Sequence, residues 1–320
     1  MLLFRKLSSQ ILRSDHLVFN KNIFKSILAQ NRLNSSSNHN EVLFKTLKME
    51  KKAGKYLSDI LKTLQEYAPL EYAESWDNVG LLVNPMSNEP IQNVLLTNDL
   101  TEIVVEEAIK LQTGLIITYH PNIFRGLKSV SNTSWKERII IQCIKNKIAV
   151  YSPHTSWDNV RGGVNDWLVK AFPVKSHNIE FIKENPNYNV VGSGRIFSLD
   201  EPISVSKAVD LVKKQIGLDY VRLALGTNKT ESSDINVIAL CVGSGSSVLS
   251  GVKADLYVTG EMLHHDILDA TQNGINVILC NHSDSERGFL KKFKTIFTSL
   301  LNNDVNVFVS EVDKDPLKTV

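Results

Sequence analysis

Residues 281–288 read Asn-His-Ser-Asp-Ser-Glu-Arg-Gly, and they follow an apolar run at 275–280 and precede a helical pattern. This order predicts a buried strand, a turn and then a helix. In an open α/β sheet, ligands bind in the crevice beyond the carboxyl ends of the strands. Because His282 and Glu286 flank such a turn, they are the first candidate site residues.

Short apolar runs recur along the chain with helical patterns between them, which predicts parallel βαβ units and the α/β fold class. We expect two α/β halves of mixed or parallel sheet around a central cleft. The halves are predicted at residues 49–172 and 190–320, and a linker with two prolines at 173–189. The predicted strands lie at 94–97, 115–118, 148–151, 192–199, 220–225, 237–242, 256–259, 277–280 and 305–309.

The composition excludes several classes of protein. The chain has 320 residues, of which 42% are hydrophobic and 22% are charged, as in a folded protein with a sizeable core. No stretch approaches the ~18 consecutive apolar residues of a membrane span. Residues 1–40 contain six basic residues and one acidic residue, so residues 41–320 keep 30 basic and 33 acidic ones. This slightly acidic body gives no reason to expect direct nucleic-acid binding.

The first 48 residues have the composition of a targeting segment. Apolar and basic residues alternate at helical spacing in residues 1–14, and a Ser/Asn-rich stretch follows at 34–40. This pattern is typical of a mitochondrial transit peptide, although a disordered tail has a similar composition. Met49 is an alternative start that would leave a cytoplasmic or nuclear form.

Histidines and acidic residues gather at the predicted strand ends. Imidazole and carboxylate groups are the ligands that Zn, Mn and Fe accept, and several strand ends can meet at one ion. A metal site therefore explains the whole group with one cause. Its members are His120, His154, Asp158, Glu261, His264, His265 and His282.

Several of the candidate site residues also have a structural interpretation. Ser283 and Glu286 fit the S-x-x-E capping box, in which the glutamate only binds the cap backbone. Asp158 could brace the turn at 162–163, and His264 with His265 could be a surface pair.

Two polar turns carry no assigned role at this stage. Residues 243–247 read Gly-Ser-Gly-Ser-Ser after a predicted strand, where backbone amides could bind an anion. The third glycine of G-x-G-x-x-G is missing, so a tight turn is the better interpretation. Residues 76–80 read Trp-Asp-Asn-Val-Gly, a polar turn that composition cannot explain.

Five ordered motifs resemble the NIF-three-like family, also called GTP cyclohydrolase I type 2 homologues, and its eukaryotic members in particular. The resemblance extends from about residue 56 to the end of the chain. The motifs are Ala-Glu-Ser-Trp-Asp-Asn-Val-Gly-Leu at 73–81, Ile-Thr-Tyr-His-Pro at 117–121, Tyr-Ser-Pro-His-Thr-Ser-Trp-Asp at 151–158, Val-Thr-Gly-Glu at 258–261 and His-x-x-x-Glu-Arg-Gly at 282–288.

The resemblance implies a two-domain α/β protein that assembles into a toroidal homo-oligomer around divalent metal sites. Carried over residue by residue, the implied ligands are His120, Asp158, His282 and Glu286, for one or two ions of Zn, Mn or Fe. The first histidine of the family's His-His pair is Tyr119 here. A phenol with a pKa near ~10 is a poorer ligand than imidazole.

Two functions follow as hypotheses from the ligand pattern and the resemblance. The first is a metal-dependent, cyclohydrolase-like hydrolase of a nucleotide-like or small heterocyclic substrate, with His154, Glu261 or His264 transferring protons. The second is a regulatory or scaffold protein that binds transcriptional regulators and holds a structural or vestigial metal.

Overall fold

The computed structural model describes residues 52–174 and 178–319, so the predicted leader at 1–48 lies outside the described residues. The strands are β1 Gly80–Val83, β2 Asn93–Thr97, β3 Leu115–Thr118, β4 Ala149–Ser152, β5 Ile179–Glu180, β6 Lys183–Glu184, β7 Gly192–Ser193, β8 Arg195–Ser204, β9 Arg222–Ala224, β10 Asp234–Ser244, β11 Leu256–Glu261, β12 Asn276–Leu279 and β13 Asn306–Val309. The helices are α1 Leu57–Tyr67, α2 Glu102–Lys110, α3 Trp135–Lys145, α4 Thr155–Asn159, α5 Val164–Val169, α6 Val205–Ile216, α7 Ser246–Leu249, α8 His264–Gln272, α9 Asp284–Arg287 and α10 Phe289–Leu300.

The first sheet has the strand order β1-β4-β3-β2-β13. β13, β2, β3 and β4 are parallel, and β1 pairs antiparallel with β4 at one edge. Every residue of β2, β3 and β4 is buried, because helices cover both faces of these strands. Helices α2 and α3 pack on one face, while α1 and α10 pack on the other.

The second sheet has the order β5-β8-β10-β11-β12-β9. Its centre, β10, β11 and β12, is parallel, and β8 and β9 pair antiparallel on either side of this centre. The sheet is therefore mixed, as predicted, and the α/β fold class is confirmed. A separate two-stranded sheet pairs β6 with β7.

The last strand corrects one part of the predicted division of the chain. The sequence pattern places residues 305–309 in the second half, but β13 pairs in parallel with β2 of the first sheet. Helix α10 supplies the crossover that a parallel connection requires. The two sheets also share one apolar core, which contains Leu96 of the first sheet and Val258 of the second.

An aromatic cluster in this shared core holds two segments of the later site. Trp157, Phe289 and Phe293 have no exposed surface, and the Trp157 ring centroid lies 4.1 Å from Phe293 and 5.5 Å from Phe289. Trp157 directly precedes Asp158, and Phe289 begins the helix that follows Glu286. Because close-packed rings resist displacement, the core fixes the positions of both carboxylates.

Candidate metal centre

Three of the four predicted metal ligands come together where the two sheets meet. His120 follows β3 of the first sheet, while His282 follows β12 of the second and Glu286 lies in α9. One ligand atom from each lies within 4.8 Å of the other two. The Glu286 carboxylate bridges the imidazoles, with Oε2 3.3 Å from His120 Nε2 and Oε1 3.4 Å from His282 Nε2.

Each imidazole also contacts a carboxylate of its own through Nδ1, the ring nitrogen that faces away from Glu286. His120 Nδ1 lies 2.9 Å from Asp99 Oδ1, and His282 Nδ1 lies 2.8 Å from Glu261 Oε1. Such contacts fix the ring orientation and leave Nε2 for a metal. The structure thus places Glu261, predicted as a proton-transfer group, on the outer side of His282.

The charges of the triad are strongly coupled. Burial would raise the pKa of Glu286, but the charge and hydrogen bond of His120 and the charge of His282 outweigh it, so this pKa lies below its ordinary value. Burial would lower the pKa of His120, yet Glu286 and Asp99 raise it to about 10. Without a metal, the pair is therefore a carboxylate and an imidazolium, and a metal must displace the imidazolium proton.

The backbone at Gly243 leaves space beside the triad. This residue has a φ of +64°, and a Cβ placed on it would lie 2.5 Å from Glu286 Oε1 and 3.3 Å from His282 Nε2. Nearby, Asn98 Oδ1 is buried without a hydrogen-bond partner among the described residues. Two imidazoles, one carboxylate and a cradle with no side chain fit a divalent metal ion.

The glycine-rich turn at 243–247 uses its amides internally. The Gly243 amide donates to Ser285 Oγ at 2.8 Å, and the Gly245 amide donates to Thr259 Oγ1 at 3.0 Å. These amides are therefore not free to bind an anion. The interpretation as a tight turn agrees with these bonds.

Asp158, the fourth predicted ligand, is engaged by Tyr119. The Tyr119 hydroxyl donates to Asp158 Oδ1. Burial, together with the charges of Asp158 and Glu286, raises the pKa of Tyr119 well above 10, so the phenol keeps its proton. Burial also raises the pKa of Asp158 to about 6. Asp158 lies outside the triad of ligand atoms within 4.8 Å, so its role as a ligand stays a prediction.

Two of the structural interpretations are wrong. The turn at Gly162 is braced by Asp166, whose carboxylate accepts from the Gly162 amide, and not by Asp158. No side-chain cap bond forms at Ser283, the N-cap of α9. Its hydroxyl donates instead to Asp315 Oδ2 at 2.6 Å. The carboxylates of Asp158 and Glu286 thus have no local role in turn or cap.

We expect Asp158→Asn to stabilise the metal-free protein at neutral pH. A buried carboxyl whose folded pKa of about 6 exceeds its unfolded value of 3.8 favours the folded state below about pH 4 and disfavours it as the pH rises through 6. At pH 7.5 the free energy of unfolding should rise by roughly 1–3 kcal/mol. This gain should shrink as the pH falls toward 4.

Urea unfolding of chelator-treated protein at pH 5 and pH 7.5 measures this effect. Asp219→Asn, at an exposed position, is the matched control and should change little at either pH. Equal or lower stability of Asp158→Asn at pH 7.5 would contradict the prediction.

His154 lies in the site and is held by a buried carboxylate. It caps α4 with a φ of +32°, an unusual conformation for a residue with a side chain. Its Nδ1 lies 2.7 Å from Oδ1 of Asp77, whose side chain is fully buried. The His154 ring centroid is 5.4 Å from that of His120. Asp77 belongs to the polar turn at 76–80, so the contact with His154 gives this turn a role.

His264, the remaining predicted proton-transfer residue, is exposed at the first position of α8. Its ring packs on that of His265, with centroids 5.4 Å apart. Within the part of the chain that the structure describes, no contact joins it to the triad. The interpretation as a surface pair describes its position better.

A further set of polar residues surrounds the triad and is not among the residues predicted from the sequence. Asn98 Nδ2 donates to Glu286 Oε2 at 3.1 Å, and Arg287 Nη1 lies 2.9 Å from Asp313 Oδ2. The Asp313 carboxylate also accepts a hydrogen bond from the backbone N–H of Asn98 at 2.7 Å. Asn98 and Asp99 directly follow β2, so the rule that selects polar residues at strand ends would have found them.

Most of the chain matches one protein family. The model for Duf34/NIF3 (NGG1p interacting factor 3) aligns with residues 55–316. This chain belongs to the Duf34/NIF3 family. NIF3-like protein 1 of Drosophila melanogaster is 46% identical over 271 residues, covering 84% of this chain and 90% of that protein.

Other members of the Duf34/NIF3 family agree in sequence and in fold. NGG1-interacting factor 3 of Saccharomyces cerevisiae is 36% identical over 280 residues, covering 82% of this chain and 96% of that protein. The crystal structure of the Staphylococcus aureus hypothetical protein SA1388 superposes with a TM-score of 0.73 at 27% identity, covering 83% of this chain and 100% of the other. The resemblance and the NIF3-like fold are therefore confirmed. Among the described residues, no helix has the length and apolar character needed to cross a membrane.

Proposed function

We propose that this chain binds a divalent metal ion through His120, His282 and Glu286 and hydrolyses a nucleotide-like or other small heterocyclic substrate. The observation that carries the proposal is the buried Glu286 carboxylate between two imidazole Nε2 atoms. Zn, Mn and Fe accept this ligand set. When bound, such an ion activates water for hydrolysis near neutral pH.

The surrounding residues orient these ligands. Asp99 and Glu261 hold the Nδ1 atoms and so direct both Nε2 atoms toward Glu286. The family resemblance allows one or two ions per chain. Tyr119 keeps its proton and donates a hydrogen bond to Asp158. These contacts favour one metal ion per chain.

His154 is the best-placed group for proton transfer. Asp77 holds its Nδ1, and its Nε2 has no hydrogen-bond partner among the described residues. A histidine oriented by a buried carboxylate is a common general acid or base. Glu261 and His264 are less suitable, because Glu261 is bound to His282 and His264 lies on the surface.

A substrate screen tests the hydrolase function. Chelator-treated protein, reloaded with Zn, Mn or Fe, is incubated with purine and pyrimidine nucleotides, and the products are identified by mass spectrometry. Turnover should require metal, disappear in His282→Ala and persist in His265→Ala, a surface histidine. Unchanged turnover by a His282→Ala protein that has lost its metal would contradict the proposal.

A protein-binding function in transcription is the second candidate. The name of the yeast relative, NGG1-interacting factor 3, supports a protein partner. In this case the metal would be structural or vestigial, and the same partners should be recovered with wild type and with Asp158→Asn. Loss of those partners in Asp158→Asn would link binding to the site and contradict a separate function.

A further inference from the structure

Two large aromatic side chains stand exposed beside the candidate metal centre. Trp76 is 60% exposed and Phe124 is 42% exposed. Their ring centroids are 6.1 Å apart, and the Trp76 ring is also 6.1 Å from that of His154. Since His154 is in turn 5.4 Å from His120, a continuous row of rings leads from the triad to the surface.

The Trp76 ring is not stacked in parallel on either of its neighbouring rings. Phe124 and His154 meet it at interplanar angles of 63° and 78°, so neither neighbour stacks on it in parallel. With 60% of the residue exposed, the Trp76 ring is accessible to a ligand from solvent. Planar aromatic ligands prefer offset stacking on such a face.

Both aromatic residues are anchored by their neighbours. The Asp77 side chain, next to Trp76, is fully buried and accepts hydrogen bonds from His154 Nδ1, from the Thr155 amide at 3.1 Å and from Thr155 Oγ1 at 2.5 Å. Asn78 Nδ2 donates to the carbonyl oxygen of Ile123, the residue before Phe124, at 2.5 Å. The turn at 76–80 and the segment after β3 are thereby tied to each other and to His154.

An exposed aromatic pair that continues into the candidate metal centre suits a small planar ligand. Stacking recognises any nucleobase, because every base has a π-face. A protein partner would also use exposed aromatic residues. The continuity of the rings with His154 and the triad favours the small ligand.

We propose that Trp76 and Phe124 bind the planar base of a nucleotide, with the base stacked on Trp76 beside His154. This inference rests on the proposed hydrolase function and names its substrate class and two binding residues. The buried Asp77 carboxylate ties His154 and Thr155 to the turn that contains Trp76.

Tryptophan fluorescence with guanosine monophosphate tests the proposal directly. Trp135 is the other exposed tryptophan, at 45%, whereas Trp157 and Trp167 are buried. In a Trp135→Phe background, Trp76 is therefore the exposed reporter. Guanosine monophosphate should quench its fluorescence, and ribose 5-phosphate, which lacks the base, should not.

Calorimetry of single variants measures the contribution of the ring. Trp76→Leu should weaken binding of guanosine monophosphate about 10-fold or more, as expected for the loss of one stacked base. Trp76→Phe should retain most of the affinity, and Trp135→Leu should be unchanged. All three variants should keep the metal content of the wild type, because none of them alters the triad.

The outcomes separate this inference from the proposed function. Base-dependent binding without turnover would overturn the hydrolase and support the binding site. Turnover that Trp76→Leu leaves unchanged would overturn the binding site and support the hydrolase. Equal affinity for guanosine monophosphate and ribose 5-phosphate would also overturn the inference. So would the absence of binding to all four common nucleoside monophosphates. Trp76-dependent binding of a protein, with no nucleotide binding, would overturn it as well.

Discussion

Glu286→Gln should remove the metal from this protein. The substitution keeps the size of the side chain but deletes the charge that lies between His120 Nε2 and His282 Nε2. Even outer contacts of a metal site are worth about 10–100-fold in affinity, so loss of a carboxylate ligand should exceed about 100-fold. Elemental analysis should show about one metal ion per chain in the wild type, as for other single catalytic sites. The variant should contain only a small fraction of that amount.

Two further variants make this measurement specific. His282→Ala should lose the metal to the same extent, whereas His265→Ala, outside the triad, should keep it. Metal retained in both triad variants would place the ion elsewhere. A wild type that binds no Zn, Mn or Fe after soaking would favour the protein-binding function.

The pH dependence of metal binding gives an independent readout. With a His120 pKa of about 10 in the metal-free protein, each bound metal displaces one proton at neutral pH. The apparent affinity should therefore rise about tenfold per pH unit from pH 7 toward pH 10. In Glu286→Gln the affinity should rise less steeply with pH, because Glu286 contributes most to the raised pKa of His120.

Gly243→Ala should disrupt the site without touching any ligand residue. A methyl group at this position would lie 2.5 Å from Glu286 Oε1, closer than non-bonded atoms approach, so the carboxylate must move. Metal sites depend on ligand positions held within about 0.5 Å. We expect metal affinity to fall by at least about 10-fold, as for other losses of ligand orientation.

Gly251→Ala is the matched control for backbone strain. Gly251 has a φ of +77°, similar to the +64° of Gly243, but a Cβ there would meet nothing within 4 Å. Both variants should lose about 1 kcal/mol of unfolding free energy from the left-handed conformation. Only Gly243→Ala should lose metal affinity, and equal affinities of the two variants would contradict the role assigned to Gly243.

The sequence predicts the site better than the connectivity. His120, His282 and Glu286 follow from the rule that polar residues at strand ends converge, and the family resemblance implies that all three are metal ligands. The rule does not give the pairing of Tyr119 with Asp158, because a hydrogen bond between residues 39 positions apart has no local signature. His264 is also a histidine that closely follows a strand, yet it lies on the surface.

The wrong sheet assignment of residues 305–309 has a simple cause. An apolar run indicates burial, but it does not specify which strand it pairs with. The transit peptide, the cytoplasmic or nuclear alternative and the toroidal oligomer stay predictions. The first two concern the segment at 1–48 and its boundary, and oligomerisation depends on contacts with other chains.

The pairing of β13 with β2 also affects how the protein emerges from the ribosome. All strands of the second sheet lie within residues 179–279, so that sheet can form before synthesis ends. The edge of β2 that pairs with β13 stays unpaired until residues 306–309 are synthesised, although β2 itself is translated much earlier. An unpaired strand edge can pair with another chain, so nascent chains are exposed to aggregation until the last segment is made. Chains that end at residue 304 should therefore precipitate more during cell-free synthesis than full-length chains, and equal solubility would show that β2 is protected in another way.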